Sequence, residues 1–485
     1  MLLLSAVLCP IVLGACLPLF RFKRRIPREV YALAVTLVTG AMVVRNVFFT
    51  QGEISFSFLH LTENVVCSFR LDGLGRLFCT LVAFLWPLAS LYAFEYMEHE
   101  KSPNSFFAWY LMAYGVTLGI ATAGDIVTMY IFYELLTLVT LPLVMHGMTP
   151  VRIAAGIKYL YYSLFGAALA FAGIMLVLAR GSSAAFTPGG VLASLSRDDV
   201  PLLRFGYILV FLGLGVKAAV FPLHAWLPAA SVAPTPVTSL LHAVAVVKAG
   251  VFAVIRVTFY SFGAELLRHS AAQWIPFALA AFTIVFGSVM AVREKHFKRR
   301  LVYSTVSNLS YILLGAALLS AQGLTGALLH MVYHALMKFT LFSVCGAVTT
   351  VTGRERVPEL TGLGKRMPVT FAVFLFSSLA MTGIPPLSGF HSKWALASAG
   401  IAAGGPIGII SVSVLILSAI LTAGYLLFIA YRAWFSPDAD SGCERTECGW
   451  RMTFSMLAVS LATLSLSLFS GPLTAFISTI AAGAV

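Results

Sequence analysis

Four ionisable residues lie inside apolar stretches long enough to cross a membrane. They are Lys217 in FLGLGVKAAVFPLH, Lys248 in LLHAVAVVKAGVFAVI, Lys393 in GIPPLSGFHSKWALA and Glu134 in MYIFYELLTLVTLPL. A charge at bilayer depth costs roughly 2.5–3.5 kcal/mol on insertion scales, so such groups face a bundle interior and mark ion or proton paths. A desolvated lysine exchanges protons readily, and a nearby carboxylate favours its charged form. Glu134 paired with Lys217 or another lysine therefore reads as a switch. The closed pair holds the proton and the open pair releases it. The alternative is a static ion pair that fixes helix register. The excess of lysines over acids weighs against it.

Histidines extend the pattern. In LLHMVYHALMKF, His330, His334 and Lys338 recur at i, i+4 and i+8. Successive members sit about 40° apart on a helix, so all three share one stripe. Histidine titrates near physiological pH and relays protons. His224 and His242 flank a proline-rich break and extend the route, although His242 reads equally as a plain helix contact. Lys158, at the start of an apolar span, is assigned to the path, with a snorkelling interfacial lysine as the alternative.

The elements that position these groups follow from composition. Of 485 residues, 59% are hydrophobic and 11% charged, against about 25% charged in soluble domains. The expected fold is an all-α polytopic membrane protein. About 20 apolar residues make a spanning helix, and about fourteen candidates satisfy this rule. They lie near 2–20, 30–50, 74–96, 106–123, 126–146, 157–179, 205–222, 237–260, 274–292, 301–320, 324–350, 369–400, 407–434 and 453–480. Segment 52–72 is too polar to span and reads as an extracytoplasmic hairpin or loop.

The net charge of +13 does not signal nucleic acid, because the basic residues sit in short loops between apolar spans. One side gathers 21–28, 293–300, 353–366 and Arg432 to Arg451, and the other holds Arg70, Arg180, Arg197 and Arg268. The positive-inside rule puts the first side in the cytoplasm. An even number of spans then leaves both termini extracytoplasmic. The first basic cluster follows the first span, the reverse of a signal peptide, so that segment is expected to be retained. The seven cysteines include no CxxC pair, and Cys443 and Cys448 lack a nearby histidine, so no metal, iron–sulfur cluster or other cofactor is expected in this chain.

Two spans are interrupted by proline, span seven at Pro222 and Pro228 and span twelve at Pro385 and Pro386. Proline removes a backbone donor and clashes with the preceding turn. Unpaired backbone at membrane depth is tolerated only inside protein or beside water. Breaks in matching places point to an internal repeat with its ion path at the breaks.

The runs KAAVFPLHAWLPAASVAPTPVTSLLHAVAVVKAGVFAVIR, HMVYHALMKFTLFSVCGAV and GLGKRMPVTFAVFLFSSLAMTGIPPLSGFHSKW resemble the antiporter-like subunits of respiratory complex I. That family includes subunits of Mrp-type sodium/proton antiporters and of membrane-bound hydrogenases. The resemblance covers about residues 70–430. It implies fourteen helices with two inverted five-helix repeats. The single membrane domain then divides into N-terminal helices at 1–105, a first repeat at 106–260, a second at 274–434 and a last helix at 453–480. By motif, Glu134 matches the fifth-helix glutamate, Lys217 the seventh-helix lysine and Lys248 an eighth-helix relay group. His330, His334 and Lys338 match the eleventh-helix group, and Lys393 the twelfth-helix residue facing the exit. One complex I branch carries glutamate in place of Lys393, and many relatives carry an acid in place of Ala229. The chain stops soon after span fourteen, without the long lateral helix of the largest complex I paralogue.

The function implied is proton translocation, or sodium/proton antiport, along a central Lys/His/Glu axis in the cell (inner) membrane of a prokaryote. The chain would hold no redox centre and would work with other membrane subunits, in the lipid bilayer, as part of a redox-driven pump of the NADH-quinone oxidoreductase or hydrogenase type or of an Mrp complex. The rivals are a stand-alone secondary transporter and a structural subunit with static ion pairs.

Overall fold

The computed structural model describes every residue except 1, 21, 51, 53, 63, 64, 181, 182, 192–197 and 438–444. Arg21, Arg197 and Cys443 therefore lie outside the described residues. The chain opens with α1 (Leu2–Cys16), α2 (Arg25–Phe48), a hairpin of β1 (Ile54–Thr62) and β2 (Val65–Leu71), and α3 (Gly73–Tyr96). There follow α4 (Pro103–Thr122), α5 (Ile126–Val144), α6 (Pro150–Arg180), α7 (Val200–Gly215), α8 (Trp226–Ala230), α9 (Thr235–Ala243), α10 (Val246–Val257) and the short α11 (Ala264–Leu267). The second half holds α12 (Ala271–Arg293), α13 (Phe297–Ala317), α14 (Ala321–Thr352), the short α15 (Leu363–Arg366), α16 (Pro368–Thr382), α17 (Ser388–Ala403), α18 (Gly405–Phe435), α19 (Trp450–Leu468) and α20 (Ser470–Ala484).

Long runs of Leu, Ala, Phe and Val make these helices, and side-chain caps start several of them. Asp72 accepts from Gly75 N, Asp125 from Thr128 N and Ser320 from Gly323 N, each satisfying a donor that has no intrahelical partner. Among the described residues, eleven helices are long and apolar enough to cross a membrane. Three expected spans differ for physical reasons. The spans at 205–222 and 369–400 are broken, leaving α7 and α16 short. The span at 301–320 carries Ser304, Thr305, Ser307, Asn308 and Ser310, all buried against neighbours.

The helices run between two ends, and contacts at the loops say which loops share an end. At one end Arg25 pairs with Glu98 at 2.5 Å, Arg451 with Glu29 at 2.7 Å, Arg152 with Glu100 at 2.8 Å and His296 with Glu355 at 3.3 Å. There too Gly362 N donates to Arg432 O. The basic stretches singled out from the sequence thus assemble together. At the other end Gly124 N donates to Ser68 O, Phe186 N to Gly124 O, Thr187 N to Tyr260 O and Gly189 N to Ala484 O. Segment 52–72 is a hairpin there, in antiparallel register from Ile54 opposite Leu71 to Thr62 opposite Val65. It is docked by Ser68 N donating to Asp125 Oδ2 at 2.7 Å.

Three interruptions shape the centre. The first lies between α7 and α8 and the second between α16 and α17, where the prolines predict them. The third, between α9 and α10, has no proline: Val244 takes φ −133° and Ala245 ψ −90°, and both N–H groups turn to Leu240 O. The expected last helix at 453–480 is also divided, bending at Phe469 between α19 and α20.

Candidate ion path

The two proline breaks free backbone groups, and nearby side chains take them up. Past the end of α7, Tyr133 OH donates to Leu214 O at 2.9 Å and Trp226 Nε1 to Val216 O at 2.7 Å. Phe221 N finds Thr283 Oγ1 at 3.1 Å. Across the second break, Lys393 Nζ donates to Met381 O at 2.8 Å and Thr382 O at 3.0 Å, and Ser388 N to Ser467 Oγ at 2.8 Å. Backbone groups at membrane depth need such partners, and Val216 O accepts from Ala219 N as well.

Lys217 sits in the first break and is 1% exposed. Its ammonium donates to Tyr133 O and lies 3.5 Å from the centre of the Tyr133 ring. Glu134 Oε1 is 3.9 Å away, close enough for ionic attraction but with no hydrogen bond of its own. Gly250 of α10 lets the backbone approach: a Cβ there would stand 2.5 Å from Ala218 N and 2.7 Å from Lys217 C.

From α10 the groups continue into the second half of the chain. Lys248, His330, His334 and Lys338 are all fully buried. Lys248 Nζ is 2.5 Å from His334 Nδ1. The His334 and His330 rings stack 5.7 Å apart. Tyr311 stacks on His330 at 5.1 Å, and Lys393 Nζ lies 5.5 Å from the Tyr311 ring centre. Lys248, His334, His330, Tyr311 and Lys393 thus form one contiguous series inside the bundle. Lys338 branches from it, donating to Leu301 O at 2.8 Å and Ser304 Oγ at 2.7 Å. His242 stacks on Phe342 at 4.6 Å, and neither of its ring nitrogens has a hydrogen bond.

Two residues assigned to the path stand apart from this series. Lys158 is exposed on α6 and lines a cavity of about 630 Å³ at the basic end with Arg152, His296 and Lys298. That is the position of the interfacial alternative. His224 packs between the Phe221 and Phe286 rings, at 5.6 and 4.8 Å, and its Nδ1 has no partner.

Sequence reasoning missed five residues. Ser304, Asn308 and Tyr311 form a stripe on α13, and their i, i+4, i+7 spacing in an apolar span was the available signal. Ser392 holds His330 from α17. Arg256, on α10, makes a buried two-pronged pair with Asp72, with one bond at 2.8 Å and a second between Nη1 and Oδ2. A lone arginine in VFAVIRV was its only mark.

Residues 123–440 match the family described as NADH:quinone oxidoreductase/Mrp antiporter, TM, and residues 60–107 match the complex I chain 5 N-terminal family. This chain belongs to the NADH:quinone oxidoreductase/Mrp antiporter family. NADH-quinone oxidoreductase subunit N of Desulforudis audaxviator is 34% identical over 380 residues, 77% of this chain and 74% of that one. The Na(+)/H(+) antiporter subunit A1 of Staphylococcus haemolyticus is 31% identical over 408 residues, 80% of this chain but 50% of that one. The chain thus matches about half the length of that antiporter subunit.

Several solved structures share the fold. A chain of the archaeal membrane-bound sulfane sulfur reductase superposes with TM-score 0.88 and 22% identity, covering 100% of this chain and 97% of that one. A chain of the Mrp complex from Dietzia sp. DQ12-45-1b gives 0.85 and 22%, covering 100% and 98%. A chain of respiratory complex I from Thermus thermophilus gives 0.84 and 24%, covering 99% and 98%. With the apolar helices, these likenesses make the chain an integral, multi-pass membrane protein.

Proposed function

We propose that this chain translocates protons across a prokaryotic cell membrane, or exchanges them for sodium, as one membrane subunit of a larger assembly. The observation that carries this reading is the series Lys248–His334–His330–Tyr311–Lys393 inside the bundle, with the Lys217–Glu134 pair packed close to Gly250 of the same helix α10. Lys217, Lys248, His330, His334 and Lys338 are five buried nitrogen bases, and among the described residues one carboxylate, Glu134, lies within ion-pair distance of them, so on this reading few of them hold a charge at any moment. A static ion-pair network would instead match its cations with acids.

On this reading the chain crosses the bilayer fourteen times as two inverted five-helix repeats, at 106–260 and 274–434, with the basic end cytoplasmic. The gathering of basic loops at one end supports the orientation. The proton would pass between Lys217 and Lys248 through α10, then through the histidines to Lys393. The chain holds no redox centre in this proposal. Electron transfer or an opposing ion gradient in partner subunits drives the path. Moving one charge across 100 mV takes about 2.3 kcal/mol, which shifts in a few coupled amines suffice to gate.

The test is proton flux in vesicles carrying the purified assembly with its co-purifying membrane subunits. Lys217→Ala and Glu134→Ala are each expected to remove most of the flux while the assembly still forms. Normal flux in both variants rules the switch out. The co-purifying subunits also assign the branch: an NADH-binding arm means complex I, a nickel–iron subunit a hydrogenase, and small membrane proteins alone an Mrp complex.

A further inference from the structure

His330 is the most tightly held group of the series. Tyr311 and His334 both stack on its ring, at 5.1 and 5.7 Å. In its plane, Nε2 lies 3.2 Å from Asn308 Oδ1 and Nδ1 lies 3.0 Å from Ser392 Oγ. The orientation of the Asn308 amide is fixed by its other end. Its nitrogen donates to the Ser304 carbonyl at 2.8 Å, an atom that accepts and cannot donate. Oδ1 therefore faces the ring, and an amide oxygen accepts only. A bare Nε2 there would set two lone pairs against each other, so Nε2 carries hydrogen.

Ser392 is different. Its hydroxyl lies 3.0 Å from His330 Nδ1 and also 3.2 Å from Gly389 O, in the first turn of α17 beside the second break. A hydroxyl turns to suit either partner. When the imidazole is neutral, Ser392 donates to Nδ1. When Nδ1 gains a proton, its N–H donates to the serine oxygen and the serine hydrogen swings to Gly389 O.

We propose that Asn308 is a positioning residue that holds the fixed proton of His330 on Nε2, so that the mobile proton enters and leaves at Nδ1 by way of Ser392. The step conserves protons. The serine O–H bond breaks as Nδ1–H forms, and a water at the break gives the serine oxygen a replacement hydrogen, which is the one that then points to Gly389 O. Exchange at this histidine therefore occurs on the side facing the helix break. The charged and titratable groups around it are Lys248 and His334 toward α10, and Tyr311 and Lys393 on the other side. This inference rests on the proposed proton translocation, but its first readout does not depend on transport.

That readout is nitrogen NMR of the full chain in lipid bilayers, labelled with ¹⁵N-histidine, with the His330 signals assigned by their loss in His330→Gln. The wild type is expected to show a single neutral form protonated at Nε2. Asn308→Ala is expected to mix the two forms, and Asn308→Asp, which keeps an accepting oxygen, to restore the original one. Ser392→Ala leaves the form unchanged but lowers proton flux about tenfold, the smaller of the losses seen when a ring-orienting partner is removed. A wild-type ring protonated at Nδ1, or an unchanged ring in Asn308→Ala, overturns the role of Asn308. Undiminished flux in Ser392→Ala overturns the route. If the NMR results hold while wild-type vesicles move no protons, the transport reading fails and the tautomer assignment stands.

Discussion

The ammonium of Lys248 lies 2.5 Å from Nδ1 of His334, with both side chains fully buried. At that distance the two nitrogens are hydrogen-bonded, and among the described residues neither forms an ion pair with a carboxylate. Lys248→Met removes the donor without adding a charge. Proton flux in reconstituted vesicles is expected to fall at least about tenfold, within the range set by losing a positioned acid or base, while the protein extracts and elutes as the wild type does. Flux within twofold of wild type counts against the series as the conducting route.

The Glu134–Lys217 pair is looser, at 3.9 Å. A lysine here can give up its proton, whereas an arginine stays charged at any working pH. Lys217→Arg therefore keeps the attraction and loses the exchange. It is expected to fold and assemble, with flux as low as in Lys217→Ala. If Lys217→Arg pumps normally, charge alone matters at this position and proton release does not.

Arg256 and Asp72 join α10 to the start of α3, with the guanidinium 4.7 Å from the Tyr260 ring centre. Removing Arg256 leaves the buried Asp72 with the more distant Arg70, at 3.9 Å, and breaking a buried pair costs about 3–5 kcal/mol where no other partner remains. Arg256→Met is expected to lower the thermal unfolding midpoint in detergent clearly. Adding Asp72→Asn should recover part of the loss, since Asn still caps α3. No recovery in the double variant means that the arginine acts mainly through its stacking.

Gly389 packs its α-carbon against the other side of the second break. A Cβ at that position would stand 1.8 Å from Ala380 O. Gly389→Ala must push α16 and α17 apart, at a cost of about 1–3 kcal/mol for overpacking. It also pulls Lys393 from the carbonyls of Met381 and Thr382. Loss of flux with a modest fall in thermal stability is the expected pair of results. Flux equal to wild type would show that the geometry of this break is not needed for transport.

Much of this organisation is legible in the sequence because the bilayer imposes strong rules. Apolar length gives the spans, and ionisable residues within them mark the interior. Lys217, Lys248, His330, His334, Lys338 and Lys393 were found that way, and the prolines gave both of the breaks they cause. What escaped is what has no compositional mark. The interruption at Val244 and Ala245 depends on backbone angles in a run of ordinary helix formers. Ser304, Asn308 and Ser392 look like tolerated small polar residues until α13, α14 and α17 are packed together. Arg256 was hidden by its own burial, since its partner Asp72 lies 184 positions away. Lys158 is exposed at the basic end, apart from the buried series, because apolar length fixes the span a residue belongs to and not the face it occupies.

The shortage of carboxylates along the buried series has one more consequence. Two like charges about 10 Å apart repel by about 1.7 kcal/mol at an effective dielectric of about 20. A bead of charge pushed on at one end therefore dislodges a bead at the other, as in a row of touching marbles. On the proposed route, a second marble close to the first is disfavoured by that repulsion, so crowding alone would favour cargo moving in single units.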